Sequence, residues 1–94
     1  MRILIVGCGR VGSRLATEFV AEGHRVSMVD QRQEAFRRLP DRFPGQLVLG
    51  TGIDEDVLRS AGIESADVFI AVTEDDNTNI MAAQIGRASC RERV

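Results

Sequence analysis

The sequence predicts an α/β domain built on a doubly wound parallel sheet of strand order 3-2-1-4. Three observations point to it. Four short apolar runs alternate with four segments of helical character within 94 residues. The first run, Ile3-Leu4-Ile5-Val6, leads straight into Gly7-x-Gly9-x-x-Gly12 and then into a helix-like segment. The connections are short, and parallel strands joined through helices cross over right-handedly, which covers both faces of a sheet.

Each element has its own signal. The first strand is expected over residues 2–6, where near-continuous apolarity suits burial on both faces. The first helix is expected over residues 10–22, with Val11, Leu15 and Phe19 as its core stripe. Gly12 and Ala16 are small and allow close approach to the sheet, and Gly23 stands where a left-handed C-terminal cap belongs. The second strand is residues 25–30. A short second helix over residues 33–39 stops before Pro40. The third strand is residues 46–49, followed by a flexible Gly50-Thr51-Gly52 turn. The third helix follows Asp54, a good N-cap, turns Val57, Leu58 and Ala61 inward, and ends at Gly62. The fourth strand is residues 67–73. A fourth helix begins near Asp75 or Asp76 and carries Ile80, Met81, Ala82 and Ala83.

Size and composition bound the function. The chain makes one small domain. Its longest apolar stretches are five or six residues, against the roughly 18 or more of a membrane span. Met1-Arg2 leads directly into a strand, so no export signal is expected. A net charge of −2 argues against a general nucleic-acid binder. Cys8 and Cys90 do not form a disulfide framework, and the expected compartment is the cytosol.

The glycine motif carries the binding chemistry. Gly7 permits the tight turn out of the first strand, and Gly9 lets a diphosphate approach the backbone. Gly12 lets the helix pack closely, while the helix N-terminus offers unpaired N–H groups and partial positive charge. Cys8, Arg10 and Val11 complete the loop, and Arg10 and Arg14 add charge at its rim. Asp30 closes the second strand, eighteen positions after Gly12. A carboxylate there accepts hydrogen bonds from adenosine ribose hydroxyls and repels a 2′-phosphate, favouring NAD over NADP. Arg32 weakens that exclusion slightly, and Gln31 and Arg32 join Asp30 in the candidate site. The simpler readings are a ligand-free glycine turn and a helix N-cap at Asp30.

Other groups read more plainly. The acidic runs Asp54-Glu55-Asp56 and Glu74-Asp75-Asp76 both open helices, where negative charge complements the macrodipole. Of these residues Glu74 faces the site, at the carboxyl end of the fourth strand. His24 falls in the turn opposite it. A helix N-terminus beside Cys8 is expected to lower its thiol pKa, with the small size of Cys8 as the plainer reason for its presence. No catalytic or metal-binding set emerges.

Three further segments carry a resemblance. They are Gly23-His24-Arg25-Val26 with Asp30, the run G-T-G-I-D-E-D-V-L-R-S-A-G-I from Gly50 to Ile63, and Ala66-Asp67 leading to Ala71-Val72-Thr73-Glu74-Asp75-Asp76-x-x-Asn79. Together with the fingerprint, they resemble the TrkA N-terminal (RCK or KTN) domain family over residues 1–84. The resemblance implies a Rossmann-like fold and a cytosolic nucleotide-binding regulator of a potassium transporter or channel, peripheral to the inner face of the plasma membrane. It implies NAD(H), or alternatively ATP or ADP, as ligand, held by the glycine loop with Arg10, Asp30, Gly50, Thr51, Val72, Thr73 and Glu74. It implies a membrane transporter subunit as partner and a homodimer or higher oligomer, whose geometry changes with the nucleotide while no bond is made or broken. The family usually carries Asp where this chain has Thr51. The alternative is the cofactor-binding fragment of an NAD-dependent dehydrogenase, but the chain has no Lys or Tyr and its one His faces away. A third reading is a nucleotide sensor attached to something other than a potassium pore.

The end of the chain breaks the pattern. Residues 85–94 (I-G-R-A-S-C-R-E-R-V) lack an apolar stripe and agree throughout with one translation of a common sequencing-library adapter. They are expected to be adapter read-through on a fold truncated after four strands, leaving residues 1–84 as an incomplete domain with its fourth strand at an edge. Different codons in the DNA would exclude that origin.

Overall fold

The computed structural model describes residues 1–73, 79–80 and 92–93. The elements run β1 (Arg2–Val6), α1 (Arg10–Ala21), β2 (Arg25–Asp30), a 3-10 helix (Gln33–Arg38), β3 (Gln46–Leu49), α2 (Glu55–Ser60), a 3-10 turn (Ile63–Ser65), β4 (Val68–Ala71) and β5 (Glu92–Arg93). The sheet order is β3-β2-β1-β4-β5, and every pairing is parallel. The expected 3-2-1-4 order therefore holds. A two-residue β5 adds to it, so the expectation that β4 forms the edge of a four-stranded sheet is corrected: Val68 and Phe69 pair with Glu92 and Arg93. Most of residues 85–94, and the fourth helix apart from the helical Asn79 and Ile80, lie outside the described residues.

The apolar continuity of the central strands is explained by two cores. Successive side chains of a strand point to opposite faces. Leu4, Val6, Val29 and Phe69 pack with Leu58, Ala61, Ile63 and Ala66 on the α2 face. Ile3, Ile5, Val26, Met28 and Ile70 pack with Ala16 and Leu39 on the α1 face. Burying a side chain such as Phe69 contributes about 1.5–3 kcal/mol. β3, at the other side of the sheet, leaves Leu47 and Leu49 exposed.

Three expectations shift. The buried residues of α1 are Gly12, Ser13 and Ala16; Leu15 and Phe19 of the expected stripe pack partly buried against the core, while Val11 is 59% exposed. Small residues let the helix axis sit close to the sheet, which rotates Val11 out to solvent. The second helix is 3-10, with the Ala35 N–H donating to the Arg32 carbonyl at 3.1 Å and the Leu39 N–H to the Phe36 carbonyl at 3.1 Å. β4 is shorter than residues 67–73. Ladder bonds still reach from Asp67 N–H to the Arg2 carbonyl and from Val72 N–H to the Val6 carbonyl, both at 2.8 Å. Thr73 leaves the ladder because its N–H donates to Asn79 Oδ1 at 2.8 Å.

Caps follow their residue types. Gly23 and Gly62 both hold φ of +90° after helical segments. The Asp54 carboxylate accepts from the Asp56 N–H at 2.9 Å, so that acidic run opens α2 as expected. Among the described residues, no helix is long and apolar enough to cross a membrane.

Candidate functional site

The carboxyl ends of the parallel strands line a cleft of about 490 Å³. Four loops meet there in strand order. They are Gly50-Thr51-Gly52 after β3, Asp30-Gln31-Arg32 after β2, Gly7-Cys8-Gly9 after β1, and Val72-Thr73 after β4.

The glycine loop is held in place by contacts only glycine allows. Gly7 has φ of +106°, and a Cβ there would lie 2.8 Å from Thr73 N and from the Val72 carbonyl. A Cβ on Gly12 would run into the Gly7 carbonyl oxygen, so α1 starts directly beneath the loop. Gly9 differs: a Cβ on it meets nothing within 4 Å, because it faces the cleft. It is also the N-cap of α1, with no side-chain cap bond. As the N-cap, Gly9 places no side chain between the start of α1 and the cleft.

Asp30 joins two loops. Its Oδ2 accepts the Cys8 N–H at 2.8 Å and its Oδ1 accepts the Arg32 N–H at 2.8 Å. Each oxygen keeps a further lone pair for a ligand. The N-cap of the 3-10 helix is Arg32, with no side-chain cap bond, so Asp30 is not the expected cap; its carboxylate instead ties the glycine loop to the end of β2. The Gly50 N–H donates to the Asp30 carbonyl at 2.9 Å and brings the β3 turn alongside. On the other side, Asn79 grips Thr73. Its Oδ1 accepts the Thr73 N–H at 2.8 Å and the Thr73 hydroxyl at 2.6 Å, and its Nδ2 donates to the Thr73 carbonyl at 2.9 Å.

Of the residues singled out by sequence, Gly7, Cys8, Gly9, Asp30, Gln31, Arg32, Gly50, Thr51, Val72 and Thr73 line the cleft. Arg10, Val11 and Gly12 do not, and Arg14 pairs with Glu18 at 3.5 Å instead of meeting the rim. Glu74 lies outside the described residues. The structure adds Val6, Val29, Glu34, Ala35, Arg38 and Gly52 to the lining. Glu34 and Arg38 stand four apart in the segment after Asp30, and that spacing beside a binding loop was the available signal.

Cys8 corrects an expectation. Its side chain is fully buried in the α1-face core. Burial first, and then the Asp30 charge, push its thiol up to about 11 from 9.0, against a smaller lowering by Arg38. Cys8 is thus an inert spacer with a useful backbone N–H. His24 sits at the opposite end of the sheet, 3.5 Å from Glu22 and 3.3 Å from the terminal amine. Among the described residues, no group of three or more His, Cys, Asp or Glu could hold a metal ion.

Known proteins of similar sequence and structure agree with this architecture. A Trk system potassium uptake protein TrkA of Streptomyces coelicolor is 51% identical over 87 residues, covering 93% of this chain and 39% of that protein. The chain thus spans about two-fifths of that relative's length. The Shewanella denitrificans Kef CTD in AMP-bound form superposes with a TM-score of 0.80 at 16% identity, covering 98% of this chain and 57% of that one, and shows the fold alone. The NAD(P)-binding domain of an exopolyphosphatase-related protein from Archaeoglobus fulgidus superposes with a TM-score of 0.76 at 25% identity, covering 98% and 71%. The family model of the TrkA-N domain matches residues 3–94, and the chain belongs to that family.

Proposed function

We propose that the cleft binds an adenine nucleotide, NAD(H) or alternatively ATP or ADP, and that the chain is the nucleotide-sensing part of a cytosolic regulator of a potassium transporter or channel. The observation that carries the reading is the Asp30 carboxylate, placed beside the Gly7-Cys8-Gly9 loop with lone pairs to spare. The ribose hydroxyls bind at Asp30 and the phosphates at the glycine loop and the α1 N-terminus. The S. coelicolor relative's name supports the potassium system, and the NAD(P)-binding domain from A. fulgidus supports a nucleotide ligand. In this reading the partner is a membrane transporter subunit, the regulator is a dimer or larger, and the domain lies against the inner face of the plasma membrane.

The family match and the S. coelicolor relative's name favour regulation by binding over the alternative, a cofactor-binding fragment of an NAD-dependent dehydrogenase.

Calorimetric titration with NADH, NAD, ATP, ADP and AMP tests the proposal. At least one should bind with micromolar affinity, and Asp30→Ala should weaken it at least tenfold, about 1.4 kcal/mol. No binding below about 1 mM for any of them would reject the nucleotide reading.

A further inference from the structure

We propose that Asn79 is a positioning residue: it holds Val72 and Thr73 as the wall that receives the second half of a dinucleotide. The inference rests on the nucleotide reading above. The loops at the strand ends follow the sheet order, so the cleft has a direction. It runs from Gly50 at β3, through Asp30 at β2 and Gly7 at β1, to Val72 and Thr73 at β4. Neighbouring strands lie about 4.8 Å apart. An adenosine placed with its ribose at Asp30 therefore puts its phosphates over β1. What lies beyond the phosphates reaches β4, about 10 Å from β2.

The β4 turn has two constraints that fix it there. The ladder bond from the Val72 N–H to the Val6 carbonyl, at 2.8 Å, ends regular pairing with β1. The Asn79 carboxamide then takes the N–H, hydroxyl and carbonyl of Thr73, at 2.8, 2.6 and 2.9 Å. One side chain so satisfies both polar ends of one residue and its hydroxyl, six positions away in sequence. The turn also packs against Gly7 closely enough to exclude a Cβ there. A shift at Thr73 would be felt first at the β1–β4 side of the cleft, while Asp30 is held on the β2 side by the Cys8 and Arg32 amides.

The two halves of the cleft then respond differently. AMP spans only β2 and β1, whereas NADH extends to β4. Titration of wild type, Asn79→Ala and Asn79→Asp with both ligands tests this, with thermal unfolding as the check on folding. For Asn79→Ala, NADH binding should fall about tenfold and AMP binding should stay within about twofold. Asn79→Asp keeps the acceptor for the Thr73 N–H and hydroxyl and loses the donor to its carbonyl. It should show the same selectivity with a smaller loss, and it decides the matter if the Ala variant does not fold. Equal weakening of both ligands, or no change in NADH affinity in either variant, overturns the proposal. Failure of the wild type to bind either ligand removes the nucleotide reading itself, and this inference with it.

Discussion

Two glycines three positions apart, Gly9 at the N-cap of α1 and Gly12 in its first turn, should respond oppositely to the same substitution. At Gly12 an added methyl group meets the Gly7 carbonyl oxygen, a backbone atom that cannot rotate away. Either α1 lifts from the sheet or the loop moves. Overpacking of this kind costs about 1–3 kcal/mol, a fall in Tm of roughly 5–20 °C for a domain of this size. At Gly9 the methyl meets nothing within 4 Å, and φ of −88° suits alanine. Losing glycine at an N-cap costs a few tenths to about 1 kcal/mol, offset by about 0.4–1 kcal/mol from a stiffer unfolded chain. Gly9→Ala should therefore stay within about 0.5 kcal/mol of wild type. Its methyl group instead fills the space in which a phosphate meets the α1 amides, so nucleotide affinity should fall tenfold or more, about 1.4 kcal/mol. Urea unfolding and calorimetric titration on both variants separate the effects. A Gly9→Ala protein that binds like wild type, or that loses as much stability as Gly12→Ala, would refute the assignment of Gly9 to the phosphate and Gly12 to packing.

Two predictions concern charge. With its pKa raised to about 11, the Cys8 thiol is ionised in about one molecule in a thousand at pH 8, so iodoacetamide should leave folded Cys8 unmodified while urea-unfolded chain reacts. The folded pKa lies above the unfolded one, so the unfolded chain loses its proton first; the stability Cys8 contributes is complete below pH 9.0 and is lost as pH rises towards about 11. The chain has no Lys or Tyr to blur that window, and Cys8→Ala should remove the Cys8 part of the decline in urea midpoint. Arg59 reaches Glu55 at 3.5 Å, Asp56 at 3.8 Å and Glu64 at 3.6 Å, all on the surface. Arg59→Ala should cost under about 1 kcal/mol, and less in high salt; a larger, salt-independent loss in urea unfolding would contradict a screened network.

β1, β2 and β3 were legible to the residue because each is a short, largely apolar run closed by Gly7, Asp30 or Gly50, and from Ile3 to Val6 the apolarity is unbroken, as burial on both faces demands. Asp54, Gly23 and Gly62 were legible because capping is local chemistry. Val11 was not. A four-residue apolar spacing marks a helix face, but close approach through Gly12, Ser13 and Ala16 decides which face turns inward. The site divides in the same way. Residues at strand ends could be placed from topology alone, and ten of them line the cleft. Arg38 and Glu34 reach it only because the segment after β2 curls over as a 3-10 helix. The thiol of Cys8 was misjudged because the sequence shows the helix N-terminus beside it but not the core around it or the Asp30 carboxylate brought against it from the neighbouring strand.

Asp30 ties together the loops that line the cleft. A cleft whose loops had to order on binding would lose affinity to that ordering. Here one carboxylate already ties the glycine loop to the β2 turn through two backbone amides. The same ties use up half of its accepting capacity, so in the proposed nucleotide mode a ribose shares the carboxylate with the protein. A ribose approaching Asp30 therefore acts on the carboxylate that positions Cys8 and, through it, the loop that leads into α1. Binding and loop geometry are thus one equilibrium at this residue, which is the physical condition for a domain that reports occupancy through its shape.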